Sequence, residues 1–178
     1  MIDTLASLAT SAKLMSGPTV ASPIYQRALA AAEHIYGRDH SKYVTVEGNY
    51  ATMLIEGGDC VRGRELFSHV GVVAQKLALP APRAVAMLMM ARCDANEGKV
   101  PEAMAKLTEV IAICSSATCP PPGLSMAQFA LGSLLYQSGR DVARGVEMVR
   151  DARRDFETAG MPAYVKLADT WLSTNGIR

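Results

Sequence analysis

The side chains best suited to chemistry in this 178-residue chain are four cysteines, three histidines and a run of arginines. Cys114 and Cys119 flank the short stretch Ser-Ser-Ala-Thr, a spacing that could grip one metal ion. A structural zinc site takes four ligands. His34, His40 and His69 fall on separate expected elements, so this pair is not read as a metal centre. Of the four cysteines, two fall inside expected helices and two flank a loop. The four cysteines therefore do not read as a disulfide framework, and a reducing compartment is the default. Asp39-His40 reads as a helix-start or turn pair and not as a catalytic dyad. No serine, threonine or cysteine nucleophile has a base at a recognisable spacing. No glycine-rich phosphate loop follows a strand. The expectation is no catalytic residue, no metal and no cofactor.

Arg140, Arg144, Arg150, Arg153 and Arg154 alternate with Asp141, Glu147, Asp151, Asp155 and Glu157. Such mixing gives a salt-bridged, solvated helix face. Net charge is only +1. Binding to a phosphate backbone needs a basic excess on one face, so nucleic acid is not the expected partner.

The elements that would position these residues are helices. Gly17, Gly58, Gly98 and Gly139 recur at intervals of 41, 40 and 41 residues. Each stands between two stretches with helical apolar spacing, and a near-constant interval of this kind signals stacked helical hairpins. The periodicity predicts helices over 2–15, 20–36, 42–56, 61–77, 83–97, 101–115, 125–137, 142–158 and 163–173. Pro23 is expected in the first turn of the second helix, and Leu79-Pro80-Ala81-Pro82 reads as a stop signal before the fifth. Ser115 to Gly123, with Pro120, Pro121 and Pro122, is the most irregular segment and the candidate mobile loop. In the last helix, Tyr164, Leu167, Ala168, Trp171 and Leu172 form one apolar stripe fit to close an open stack. Val44-Thr45-Val46 is β-branched but too short for a strand. With 49% apolar and 20% charged residues the chain can bury a core. No apolar run is long enough to span a membrane. The N-terminal MIDTLASLATSAKLM is rich in Ser, Ala and Thr, like a transit peptide. It lacks Arg, carries Asp3 and already has helical spacing, so it reads as the first structural helix. The expected location is intracellular, cytoplasmic by default, with an organellar matrix as the alternative.

The pattern around each glycine resembles the tetratricopeptide repeat (TPR), and the long interval resembles its kinesin light chain variety. The first unit carries Leu8-Ala9, Gly17, Ala21, Tyr25 and Ala28. The second carries Tyr50-Ala51, Gly58, Gly63, Phe67 and Val70. The third carries Met90-Ala91, Gly98, Ala103, Leu107 and Val110, with Asp94 where the family has a Tyr or Leu. The fourth carries Leu131-Gly132, Gly139, Gly145, Val149 and Ala152.

The resemblance implies an all-α fold. It would be a right-handed α-solenoid of four helix-turn-helix repeats, 2–36, 42–77, 83–115 and 125–158, closed by a capping helix over 163–173, as one domain over 1–178. It also implies a non-enzymatic scaffold or adaptor that binds a peptide or helix segment along the first helices of its repeats. Carried onto this sequence, the partner-binding residues are Asn49, Thr52 and Glu56, then Met89, Arg92 and Asn96, then Phe129 and Tyr136, with Thr45 and Val85 beside them. Asn49 could bond both the N–H and C=O of an extended peptide. Arg92 could pair with an acidic side chain or a terminal carboxylate. The positions that would clamp a C-terminal carboxylate hold Ala6, Thr10, Val85 and Met89, so no such clamp is expected. Met87 to Met90, Met126 and Phe129 divide between core and an adaptable groove floor. The alternative role is a structural subunit docking through its convex face or N-terminal end. An RNA-associated helical repeat is a further alternative.

Overall fold

The computed structural model describes residues 2–116, 119 and 122–177. Among these residues it is entirely helical, with α1 (Ile2–Ser16), α2 (Pro18–Tyr36), α3 (Ser41–Glu56), α4 (Cys60–Lys76), α5 (Pro80–Asn96), α6 (Val100–Ser116), α7 (Gly123–Gln137), α8 (Val142–Thr158) and α9 (Pro162–Thr174). The chain divides into two compact units, Met1–Cys93 and Asp94–Arg178.

Turn chemistry sets the hairpins. Gly58 adopts φ +92°, and the chain turns on hydrogen bonds from Gly58 N to Ile55 O (3.0 Å) and Asp59 N to Leu54 O (2.9 Å). Asp59 then caps α4, accepting from Arg62 N at 3.0 Å. The same ending occurs after α4, where Ala78 N donates to Gln75 O and Leu79 N to Ala74 O. Here a Cβ sits at φ +52°, a conformation that costs L-residues roughly 1–2 kcal/mol. Ala78→Gly is therefore expected to stabilise the protein by about 1 kcal/mol, less the entropy glycine gains when unfolded. Calorimetry checks it, and a lower melting temperature for the variant would contradict it.

In the first unit, Tyr25 and the alanines 21, 28 and 32 of α2 pack on Tyr43, Val46, Tyr50, Met53 and Leu54 of α3, with Ile2 and Ala9 of α1. Tyr25 and Tyr50 stack at 5.5 Å. Their hydroxyls find Thr10 (3.0 Å) and Ser22 (2.9 Å), which keeps two buried phenols satisfied. A second cluster joins Val44, Ala51 and Ile55 of α3 to Phe67, Val70 and Val73 of α4 and to Ala86 and Cys93 of α5. Ion pairs tie α1 to α3 at both ends, Asp3 to Lys42 at 2.8 Å and Lys13 to Glu56.

In the second unit α7 and α8 touch backbone to backbone. A Cβ on Gly145 would lie 2.6 Å from Gly132 O, and one on Gly132 would lie 2.7 Å from Gly145 O. The α9 stripe meets this hairpin through Trp171, set edge-on to Tyr136 (5.0 Å) and Phe129 (6.5 Å), and through Tyr164 stacked on Phe156 (5.3 Å). Asp94 is buried, and Lys106 Nζ reaches its carboxylate at 2.6 Å, so the departure at this position brings its own counter-charge.

Three expectations are corrected. Pro23 lies inside α2, which begins at Pro18. Pro23 is exposed, so the carbonyl left without its helical N–H can face water. Pro80 and Pro82 open α5 instead of preceding it, since first-turn residues need no N–H donor. The cysteines are paired, Cys60 with Cys93 and Cys114 with Cys119, and no free cysteine remains among the described residues. Helical neighbours run antiparallel, so the start of α4 meets the end of α5. That register brings together two residues 33 apart in sequence, which spacing alone does not reveal. The reducing default rested on unpaired cysteines and loses that support. The candidate mobile loop lies partly outside the described residues.

Candidate functional site

In the first unit a pocket of about 180 Å³ lies where α3, α4 and α5 meet. Val44, Thr45, Gly48 and Asn49 of α3 form one wall, Phe67 and Val70 of α4 the floor, and Ala81, Pro82 and Val85 of α5 the other wall. Phe67 and Val70 are fully buried by the packing that joins the three helices, which fixes the floor. No lining side chain is titratable. The arrangement can hold an apolar group and offer it one amide, and it presents no acid–base pair.

Asn49 stands exposed at the rim, and its side chain makes no hydrogen bond among the described residues. Its helical neighbours on the same stripe are already engaged. Thr45 donates to Ser41 O (2.9 Å), Thr52 donates to Gly48 O (2.8 Å), and Glu56 is paired with Lys13. On α5, Met89 packs against the core cluster. Arg92 is exposed and has no ion partner among the described residues. It lies two turns beyond Val85, about 10 Å along the helix. The structure thus brings together Asn49, Thr45 and Val85 at the pocket, with Arg92 further along the same helix. Asn96, Phe129 and Tyr136 belong to the second unit. There Phe129 and Tyr136 are occupied by Trp171, and the Tyr136 hydroxyl donates to Asn175 O at 3.4 Å. A wider depression of about 450 Å³ lies at the α8–α9 elbow, beside Met161, Val165, Lys166 and Asp169. Asp169 is bound by Arg153 at 2.5 Å.

Sequence reasoning missed one polar cluster in the first unit. Glu47 of α3 is fully buried, and its Oε2 lies 2.5 Å from His69 Nδ1 on α4. His69 Nε2 faces Asp39 at 3.9 Å, and Asp39 is held by Lys76 at 2.7 Å. Arg38 stands 4.0 Å from Glu47 Oε1, within ion-pair reach but too far to hydrogen-bond, so that oxygen is buried without a donor. Arg38 also lies over the Tyr43 ring (5.7 Å), and Tyr43 meets His69 edge-on. The available signal was an acid on the apolar stripe of Tyr43, Val46 and Tyr50.

Burial pushes the Glu47 carboxyl above its ordinary value, against the pull of His69 and Arg38. The folded chain therefore binds this proton more tightly than the unfolded one. Its contribution to stability is complete below the unfolded value near 4.5 and is lost as pH rises through the elevated folded value. Glu47→Gln keeps a hydrogen-bonding group without the charge. Its melting temperature relative to the parent is expected to climb as pH rises from 4.5 to 8. A flat difference across that range would contradict the assignment.

No protein-family model matches the chain, and no curated protein matches it significantly. Solved structures do. Nearly identical TPR-like repeats of the kinesin light chain type from Podosopora anserina superpose with TM-score 0.71 at 18% identity, over 98% of this chain and 87% of theirs. BtubC (BKLC) from P. vanneervenii gives 0.74 at 17% identity, over 89% of this chain and 64% of its own. Aspartyl phosphate phosphatase F from Bacillus subtilis gives 0.82 at 13% identity, over 97% of this chain and 44% of its own. The fold is a TPR-like helical repeat. Identities this low speak to the fold alone. In TPR-like terms, α3 and α5 are the first helices of consecutive hairpins, and the pocket lies between their N-terminal halves. No helix among the described residues is long and apolar enough to cross a membrane.

Proposed function

We propose that the chain is a non-catalytic protein-interaction scaffold that takes an extended protein segment along α3 and α5. An apolar side chain enters the pocket, the Asn49 amide bonds the segment's backbone, and Arg92 meets an acidic group two turns further on. The observation that carries this reading is an unengaged amide standing over an apolar floor between the first helices of two TPR-like hairpins. The solved neighbours support a repeat scaffold, and the binding mode is our own reading.

Asn49→Ala combined with Arg92→Glu tests it. Both positions are exposed, so the melting temperature is expected to stay within the range of neutral surface changes. Losing the backbone hydrogen bonds and reversing one charge is expected to weaken capture of the protein partner about a hundredfold. Undiminished capture would end the groove reading. A second reading, a structural subunit docking elsewhere, has one observation in its favour: Leu14 and Met15 at the end of α1 and Val61 and Val72 on α4 are large, apolar and exposed.

A further inference from the structure

The α5 wall of the pocket is held differently from its neighbours. Helices α2, α4 and α8 each drive a fully buried aromatic ring into their cores: Tyr25, Phe67 and Phe156. Within the first unit the residues α5 buries outright are Ala84, Ala86, Ala91 and Cys93, all small, and Cys93 is the largest of them. Small side chains remove little apolar area from water and so give little adhesion. Met87 to Met90 are only partly covered. Besides the ion pair from Asp94 to Lys106 of α6, α5 has a covalent tie from Cys93 to Cys60, the first residue of α4, with a Cα–Cα distance of 5.8 Å.

We propose that the Cys60–Cys93 bond is the device that fixes α5 as a wall of the pocket, so that the site is formed while the pair is oxidised and released when it is reduced. The release is a two-electron exchange with a dithiol reductant. One reductant thiolate attacks Cys60 Sγ, the partly exposed sulfur, because Cys93 is buried. The S–S bond breaks, and Cys93 leaves as a thiolate and takes up a proton. The second reductant thiol closes on the first, freeing the Cys60 thiol and leaving the reductant as its own disulfide. Cys93 is expelled among Val70, Val73 and Ala86. A thiolate forming in such apolar surroundings is a poor leaving group. Monothiols therefore act slowly, and a dithiol is needed to complete the exchange. The consequence for binding rests on the groove reading above, whereas the release of α5 does not.

Hydrogen exchange on the whole protein, oxidised and after dithiothreitol, reads the release directly. Amides of α5 around Ala84 to Ala91 are expected to exchange at least about tenfold faster after reduction, while those of α1 to α3 speed up by a clearly smaller factor. Cys60→Ala with Cys93→Ala should reproduce this without reductant and with Cys114–Cys119 intact. Unchanged α5 exchange would overturn the proposal. So would equal loss of protection across the whole first unit, because the bond would then support that unit globally. A photo-cross-linker at position 85 separates the two readings. It should trap partner in oxidised protein and lose it on reduction. If position 85 traps nothing in either state while α5 still loosens, the groove reading fails and the α5 tie stands.

Discussion

Gly145→Ala is expected to destabilise the second unit by about 3 kcal/mol, near the top of the range for forcing extra atoms into a packed interface. The added Cβ would lie 2.6 Å from Gly132 O and 2.9 Å from Tyr136 N, both backbone atoms that cannot step aside by rotating a side chain. Alanine regains roughly 1 kcal/mol of helix propensity, which does not cover the cost of separating α7 from α8. For a unit of this size the melting temperature should fall by about 15 °C. Gly71→Ala in α4 makes the useful comparison. A Cβ there meets nothing within 4 Å, so alanine should cost nothing and gain helix propensity. If the two variants melt alike, the backbone contact between α7 and α8 is not as close as described.

Removing the Cys60–Cys93 bond carries the second large effect. Its ends are 33 residues apart, against 5 for Cys114–Cys119. On the chain-entropy account the first closes a loop worth about 3.7 kcal/mol and the second about 2 kcal/mol. Cys60→Ala with Cys93→Ala should therefore lower the denaturant midpoint clearly more than Cys114→Ala with Cys119→Ala. Equal losses would contradict loop closure as the source. Four reactive thiols in protein purified without reductant would contradict the pairing itself.

The helices were legible in the sequence because each signal was local. The glycines at 17, 58, 98 and 139 mark turns that only a left-handed residue closes without strain, and all four adopt positive φ. The stripes of α2 and α4 needed only a period of 3.6. Ala78 shows the limit: it makes the same turn with a side chain that gives no warning of it. What the sequence hid was register between elements. Cys60 with Cys93 and Glu47 with His69 meet because antiparallel helices bring distant positions level. No spacing rule encodes that. The candidate binding residues divide for the same reason. Asn49 and Arg92 are unengaged, whereas Glu56 is taken by Lys13 of α1, and Phe129 and Tyr136 by Trp171 of α9. Their partners lie on helices the repeat pattern does not align with them.

The central claim is that a protein segment lies between α3 and α5. A benzophenone side chain placed at position 85 on the pocket wall, or at position 72 on α4 away from it, tests this in the native cell. Val85 is 40% exposed and Val72 68% exposed, so accessibility alone favours position 72. The account predicts a covalent partner adduct at position 85 and none at position 72. An adduct at position 72 with none at position 85 would contradict it and put the partner on another face.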